Sequence, residues 1–281
     1  MRAGFHSVGL AGRSILDAID KVADAGYATI ELNAETLPWA QPHVTPATTA
    51  AERAAIREAT KRRGIGISAV GAHIPMVEED AASRRAAVGF VKGCTDLAAD
   101  VGAPVVHILS GEAPAGIPRK LAWQWFADAV SESADYASGR GVRLGIEAIA
   151  GHLFHAIDDF GRLAADLPGT PVFVNLDPSH LIVQGEDPAR MVAERGNEIV
   201  HVHAKDGTGR FPEFAFPPLG QGRIDFAGLV DALGKAGYDG VLSVEYEAQV
   251  FGFKETEAEI LAHGRRFLRA LGVLKRNSIA R

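Results

Sequence analysis

Short apolar runs alternate with longer amphipathic stretches along this chain, and turn-forming residues separate nearly every pair. Ala3–His6, Thr29–Leu32, Gly66–His73, Pro104–Leu109, Val142–Glu147, Val172–Asp177, Ile199–His203 and Gly240–Glu245 read as strands, each short and mostly apolar. Helical spacing fills the intervals. Ser14 is placed to cap a helix that runs to Ala25 and closes at Gly26. A loop with Pro38, Pro42 and Pro46 leads into a helix from Thr48 to Arg63, and Gly102 stops one from Ala81 to Val101. Further helices are expected over Pro118–Ser138, Ala156–Leu167, Asp187–Arg195, Asp225–Ala236 and Glu255–Leu271. A Gly-, Pro- and Phe-rich loop follows the seventh strand.

Eight strand–helix units without a compositional break imply parallel strands joined by helical crossovers. About 250 residues is the usual size of a closed (β/α)8 TIM barrel. An open doubly wound sheet usually carries a Gly-rich phosphate turn after its first strand, and Gly9-Leu-Ala-Gly12 is a poor match. The expectation is an α/β TIM barrel, a single domain over residues 1–272, with a basic tail over 273–281.

Composition adds exclusions. The chain has 281 residues, 47% of them hydrophobic, enough for a large core. A net charge of -6 gives no general attraction to nucleic-acid backbones or anionic lipid, so neither partner is expected. The single cysteine, Cys94, lies in a helical stretch and reads as a packing residue. The start of the chain does not resemble a signal peptide, and no run is long enough to span a bilayer. A soluble cytoplasmic protein is expected.

The chemistry gathers at the strand ends, which face the active-site side of such a barrel. They carry Glu31, His73, His107, Glu147, Asp177, His203 and Glu245. Side chains alternate along a strand, so His201 shares a face with His203, Asn175 with Asp177, Gly145 with Glu147 and Ser243 with Glu245. Small and polar residues thus lie below each candidate ligand, as an inward row near the mouth requires. A lone strand-end carboxylate usually caps a helix or pairs with Lys or Arg, and a lone strand histidine is usually a bonded core residue. Three carboxylates and an imidazole converging from four successive strands are different: they would repel unless a cation sat among them. Oxygen-rich ligation with one nitrogen suits one divalent ion, with Mn2+ taken first and Mg2+, Co2+ or Zn2+ as alternatives.

Four segments in order carry a resemblance: Leu176-Asp-Pro-Ser-His180, His201-Val-His-Ala-Lys-Asp206, Pro218-Leu-Gly-Gln-Gly-Arg-Ile-Asp-Phe226 and Gly237-Tyr-Asp-Gly-Val-Leu-Ser-Val-Glu245. The chain resembles the xylose isomerase-like TIM-barrel superfamily, also called the sugar phosphate isomerase/epimerase family. The resemblance implies a divalent metal held by Glu147, Asp177, His203 and Glu245, with His180 beside it on the substrate. Family members that epimerise free ketoses follow the first Glu with an Asn-Arg pair and a second Glu. Here Glu147 is followed by Ala-Ile-Ala-Gly-His152, so that clamp is missing or rebuilt. A branch similar to endonuclease IV matches His73, His107, Glu147, Asp177, His180 and His203 but needs an Asp-x-His after strand seven. Lys205-Asp-Gly-Thr-Gly-Arg-Phe211 has none.

The expected chemistry is isomerisation or epimerisation of a sugar or sugar derivative through a metal-stabilised enediolate, Glu147 and Glu245 exchanging the proton. A leaving hydroxyl in the β position turns the same first step into a dehydratase or lyase reaction on a keto-inositol, dehydroshikimate or 3-keto-glycoside. His73 and His107 are candidates for substrate contact or for bonded mouth histidines. Lys205 and Arg210 are candidates for a phosphate or carboxylate, or for surface ion pairs. Glu31 is expected to be a supporting acceptor, and Trp39 and Phe211 to lie at the mouth. Trp123 and Trp125 are expected in helix packing, as are Phe267 and Leu268, or alternatively in a subunit contact. A homo-oligomer or a hetero-subunit that completes the site remains an alternative organisation.

Overall fold

The computed structural model describes residues 1–273; the expected tail from 274 onward lies outside the described residues. Eight parallel strands close into a barrel: β1 (Arg2–His6), β2 (Thr29–Asn33), β3 (Gly66–Gly71), β4 (Val105–Ile108), β5 (Arg143–Ile146), β6 (Val172–Leu176), β7 (Ile199–Ala204) and, after a hairpin of β8 (Thr208–Arg210) and β9 (Glu213–Ala215), β10 (Val241–Val244). Each strand neighbours the next in sequence, and β10 closes the ring against β1, with Phe5 level with Val244. This is the (β/α)8 barrel that the alternation predicts.

Local chemistry sets the helices. In α1 (Ile15–Asp24) the Ser14 hydroxyl accepts from the Asp17 amide at 3.2 Å, and Ala18, Ile19 and Val22 make the buried stripe. Before α2 (Ala50–Arg63), Thr49 and Glu52 form a reciprocal capping box, and Gly64 ends the helix in the left-handed conformation. The remaining outer helices are α3 (Ala81–Val101), α4 (Arg119–Gly139), α5 (Ile157–Asp166), α6 (Pro178–Gln184), α7 (Pro188–Arg195), α8 (Phe226–Lys235), α9 (Ala248–Phe251) and α10 (Glu257–Ala270). Cys94 is fully buried in α3, Trp123 is buried in α4, and Leu268 is buried in α10. No helix among the described residues is long and apolar enough to cross a membrane.

Elements beyond the expectation include the short helix α6 directly after Asp177, the β8–β9 hairpin in the loop after β7, and the short helix α9 after β10. Inside the barrel, Ala69, Val105 and Phe173 pack with Val200 as a small apolar plug. Two residues further along their strands lie Gly71, His107 and Asn175, so the apolar plug gives way to a polar layer towards the mouth.

Candidate metal centre

Each expected ligand is fixed by one contact and presents a second atom inward. Asp177 caps α6: its Oδ1 accepts from the Ser179 amide at 2.7 Å, and Pro178 occupies the first helical turn, where no amide donor is needed. Its Oδ2 is buried without a partner. Glu147, just past β5, accepts the Asn175 amide at 2.7 Å. His203 donates from Nε2 to Glu31 Oε1 at 3.0 Å, which directs Nδ1 to the other side. Glu245, just past β10, takes the Lys205 ammonium on Oε1 at 2.8 Å and leaves Oε2 unpartnered.

The inward atoms converge. One ligand atom each from Glu147, Asp177, His203 and Glu245 lies within 4.8 Å of all the others, and all four residues are buried. His203 Nδ1 stands 2.7 Å from Glu245 Oε2, 3.4 Å from Glu147 Oε2 and 3.9 Å from Asp177 Oδ2. The 2.7 Å approach is an ion-pair distance outside hydrogen-bond geometry. Buried acceptors left facing one another cost several kcal/mol per charge unless a cation joins them. Asp177 Oδ2, Glu245 Oε2 and His203 Nδ1, unpartnered beside Glu147 Oε2, therefore fit a divalent ion. The Nε2–Glu31 contact would be its carboxylate–histidine support.

Electrostatics match this reading. Burial pushes the carboxyls of Glu147 and Glu245 up, but His203 and His73 outweigh it at Glu147, and Lys205 and His203 at Glu245. Both are held well below the usual carboxylate range. Burial also acts against a charged His203, yet Glu245, Glu31 and Glu147 raise it well above its ordinary value. Three carboxylates around it favour any cation, a proton included.

The other candidates occupy distinct places. His180, in α6, puts Nε2 3.8 Å from both Glu147 and Asp177, and its ring meets Phe216 edge-on at 4.8 Å. His73 Nε2 is 2.8 Å from His107 Nδ1 and 3.4 Å from Glu147. Burial lowers the His73 pKa, but Glu147 and Glu35 carry it to about 10. His107 donates from Nε2 to Glu31 at 2.6 Å. Lys205 is not at the surface: it is buried and bridges Glu245 and Glu247, the latter at 2.7 Å. Arg210 is exposed on β8, its guanidinium against Gly185 and without an ion pair among the described residues. Phe211 is exposed on the hairpin and packs on Gly151, while Trp39 lies in the β2–α2 loop.

The strand-end reading omits His6 as a candidate, although it ends β1 opposite Glu31 in register. Its position at a strand end was the available signal. It also omits Glu35 and Glu247, loop carboxylates that become partners only through folding. Asp206 was quoted within a motif without a role. Its carboxylate accepts the amides of Gly207, Gly220 and Gly222 at 2.9 Å and Ile224 at 3.3 Å, clasping the mouth loop. A Cβ at Gly222 would collide with that carboxylate.

The family model described as "Xylose isomerase-like TIM barrel" matches residues 19–271. The chain belongs to this family. Among curated relatives, inosose dehydratase of Geobacillus thermodenitrificans is 27% identical over 140 residues, 44% of this chain and 47% of the relative. Fructoselysine 3-epimerase of Escherichia coli O157:H7 is 24% identical over 173 residues, 60% of this chain and 62% of the relative. The matches thus span roughly half the length of these xylose isomerase-like relatives. Of solved structures, the IOLI protein with a bound zinc atom superposes with a TM-score of 0.80 and 18% identity, over 99% of this chain and 100% of that one.

Proposed function

We propose that this chain is a divalent-metal-dependent isomerase or epimerase of a small sugar or sugar derivative. Glu147, Asp177, His203 and Glu245 would hold the ion. The observation that carries the reading is the convergence of their inward atoms, three of them buried and unpartnered. The epimerase relative supports a sugar substrate. Mn2+ remains the first choice, and the zinc in the similar IOLI structure supports Zn2+ as an alternative.

When bound, the ion would act as a Lewis acid that polarises the substrate carbonyl and acidifies the neighbouring C–H. Glu147 and Glu245 stand just past the ends of β5 and β10, with β6 and β7 between them, and would flank the substrate. Both are held ionised at neutral pH, the state a base requires. One removes the proton as a carboxylate, and the other returns one on the opposite side after taking it from solvent, the proton first removed being lost by exchange. The Lys205 ammonium fixes Glu245 through Oε1, so that Oε2 keeps its aim. His180, beside both Glu147 and Asp177, is placed to donate to a substrate oxygen. His73 and His107 would orient Glu147 from the other flank.

A second reading is supported by the inosose dehydratase relative. The same proton removal, followed by loss of a β hydroxyl, makes the enzyme a lyase. The deciding experiment is a screen of ketoses, sugar acids, inososes and 3-keto-glycosides with added metal, following isomer formation and loss of water or aglycone. Glu245→Gln should lower turnover by about three orders of magnitude while ion binding persists. Near-normal turnover in that variant overturns its role in proton transfer. Deuterium from solvent should enter recovered substrate.

A further inference from the structure

Beneath the mouth centre lies a second buried polar cluster whose hydrogen bonds do not close. Glu31 is its only carboxylate among the described residues, with His6, His107, His201 and His203 around it. Donors can be assigned outward from Asn175. Its Nδ2 donates to Glu147 at 2.7 Å, so its Oδ1 faces His201 Nδ1 at 2.9 Å and must accept. His201 therefore spends its Nδ1 proton there. His107 and His203 both donate to Oε1 of Glu31, at 2.6 and 3.0 Å. What remains is Glu31 Oε2 facing His201 Nε2 at 3.6 Å, both buried and both without a partner. A proton on either atom would not bridge that gap, because 3.6 Å is too long for a hydrogen bond.

We propose that Glu31 and His201 hold a second divalent cation, of the imidazole-preferring kind such as Zn2+ or Co2+, in a deep site distinct from the mouth centre. The separation suits an ion better than a water. Two bonds of about 2.1 Å spanning 3.6 Å meet at about 118°, near the tetrahedral angle. Two water hydrogen bonds of about 2.8 Å would meet at about 80°, narrower than the angle between a water's own O–H bonds. Imidazole-rich surroundings favour Zn2+ or Co2+ over Mg2+. His6 Nε2, also unpartnered and 3.6 Å from Glu31 Oε1, adds a nitrogen to the same layer. The site depends on no particular reaction at the mouth.

The test is metal stoichiometry in the full chain. Protein stripped by chelation, reloaded with Zn2+ and freed of excess should carry two ions per chain by elemental analysis. His201→Gln should carry one, and Asp177→Asn should also carry one, retained in the deep site. One ion in the saturated wild type overturns the proposal, as does a count unchanged by His201→Gln. Anomalous diffraction from zinc-loaded wild-type crystals gives a readout that needs no variant. A peak between Glu31 Oε2 and His201 Nε2 is expected, and a light atom without anomalous signal there would identify a water instead.

Discussion

The barrel holds two stacked ionisable clusters, and they differ in what balances them. At the mouth, three carboxylates face one imidazole, and Asp177 Oδ2, His203 Nδ1 and Glu245 Oε2 lack partners. Below it, one carboxylate stands among four imidazoles, and two of those donate to a single oxygen. The upper cluster gathers three carboxylates, with Lys205 against Glu245 and His73 against Glu147 as neighbouring cations. The lower one has a defect confined to one oxygen and three ring nitrogens. His203 belongs to both, through Nδ1 above and Nε2 below. Carboxylate count, rather than burial, is therefore what separates the upper centre from the lower layer, which offers the proposed second ion a single carboxylate.

The sharpest way to break this comparison is to remove charge above while leaving the structure intact. Asp177→Asn keeps an oxygen for the α6 cap but loses the carboxylate. Turnover should fall by three orders of magnitude or more, with the melting temperature of the metal-free protein unchanged or raised. A variant that turns over normally would remove Asp177 from the centre. Next in size is the ion's own contribution. At a concentration one hundred times its dissociation constant, a divalent ion should stabilise the protein by about 2.7 kcal/mol, measured by denaturant titration with and without chelator. No stabilisation would indicate that the upper cluster does not bind it.

Glu31→Gln probes the link between layers. Losing the carboxylate behind His203 should weaken ion binding at the mouth by about 10- to 100-fold without abolishing it. Equal affinity in wild type and variant would separate the two layers. The smallest effect is that of pH. The surrounding carboxylates raise the His203 pKa well above its ordinary value, so in the ion-free protein the ring stays protonated through neutral pH. An incoming ion must displace that proton, hence affinity rises with pH and falls on acidification. The slope should approach tenfold per pH unit, one proton per ion, across the range below the raised pKa. Flat affinity between pH 6 and 8 would mean that Nδ1 is not a ligand.

Strand parity carried far in the sequence because a barrel repeats one geometry eight times. Once Asp177 was read as inward, Asn175 beneath it was also inward, and their structural partners, Glu147 and His201, followed the same rule. His6 was harder to read, since its meaning depends on the pairing register that sets β1 beside β2 and brings it level with Glu31. Lys205 read as a phosphate or carboxylate binder or a surface ion pair because its partners, Glu245 and Glu247, lie some 40 residues away and meet it only in the folded chain. The α6 helix was obscured by its shortness: seven residues show less than two turns of periodicity. Asp177 also showed that the ordinary and the functional reading of a strand-end carboxylate need not compete. One oxygen caps a helix and the other faces the centre.

The Asp206 clasp has a use for engineering. It gathers the amides of Gly207, Gly220, Gly222 and Ile224 onto one carboxylate next to Lys205, and the β8–β9 hairpin leaves and returns between those anchor points. The hairpin is thus a cassette with a fixed frame. Its length and side chains, Phe211 and Phe214 among them, can be rewritten to suit a new substrate while the frame stays shut. The glycines that the clasp requires, Gly222 above all, are the positions such a library should leave alone.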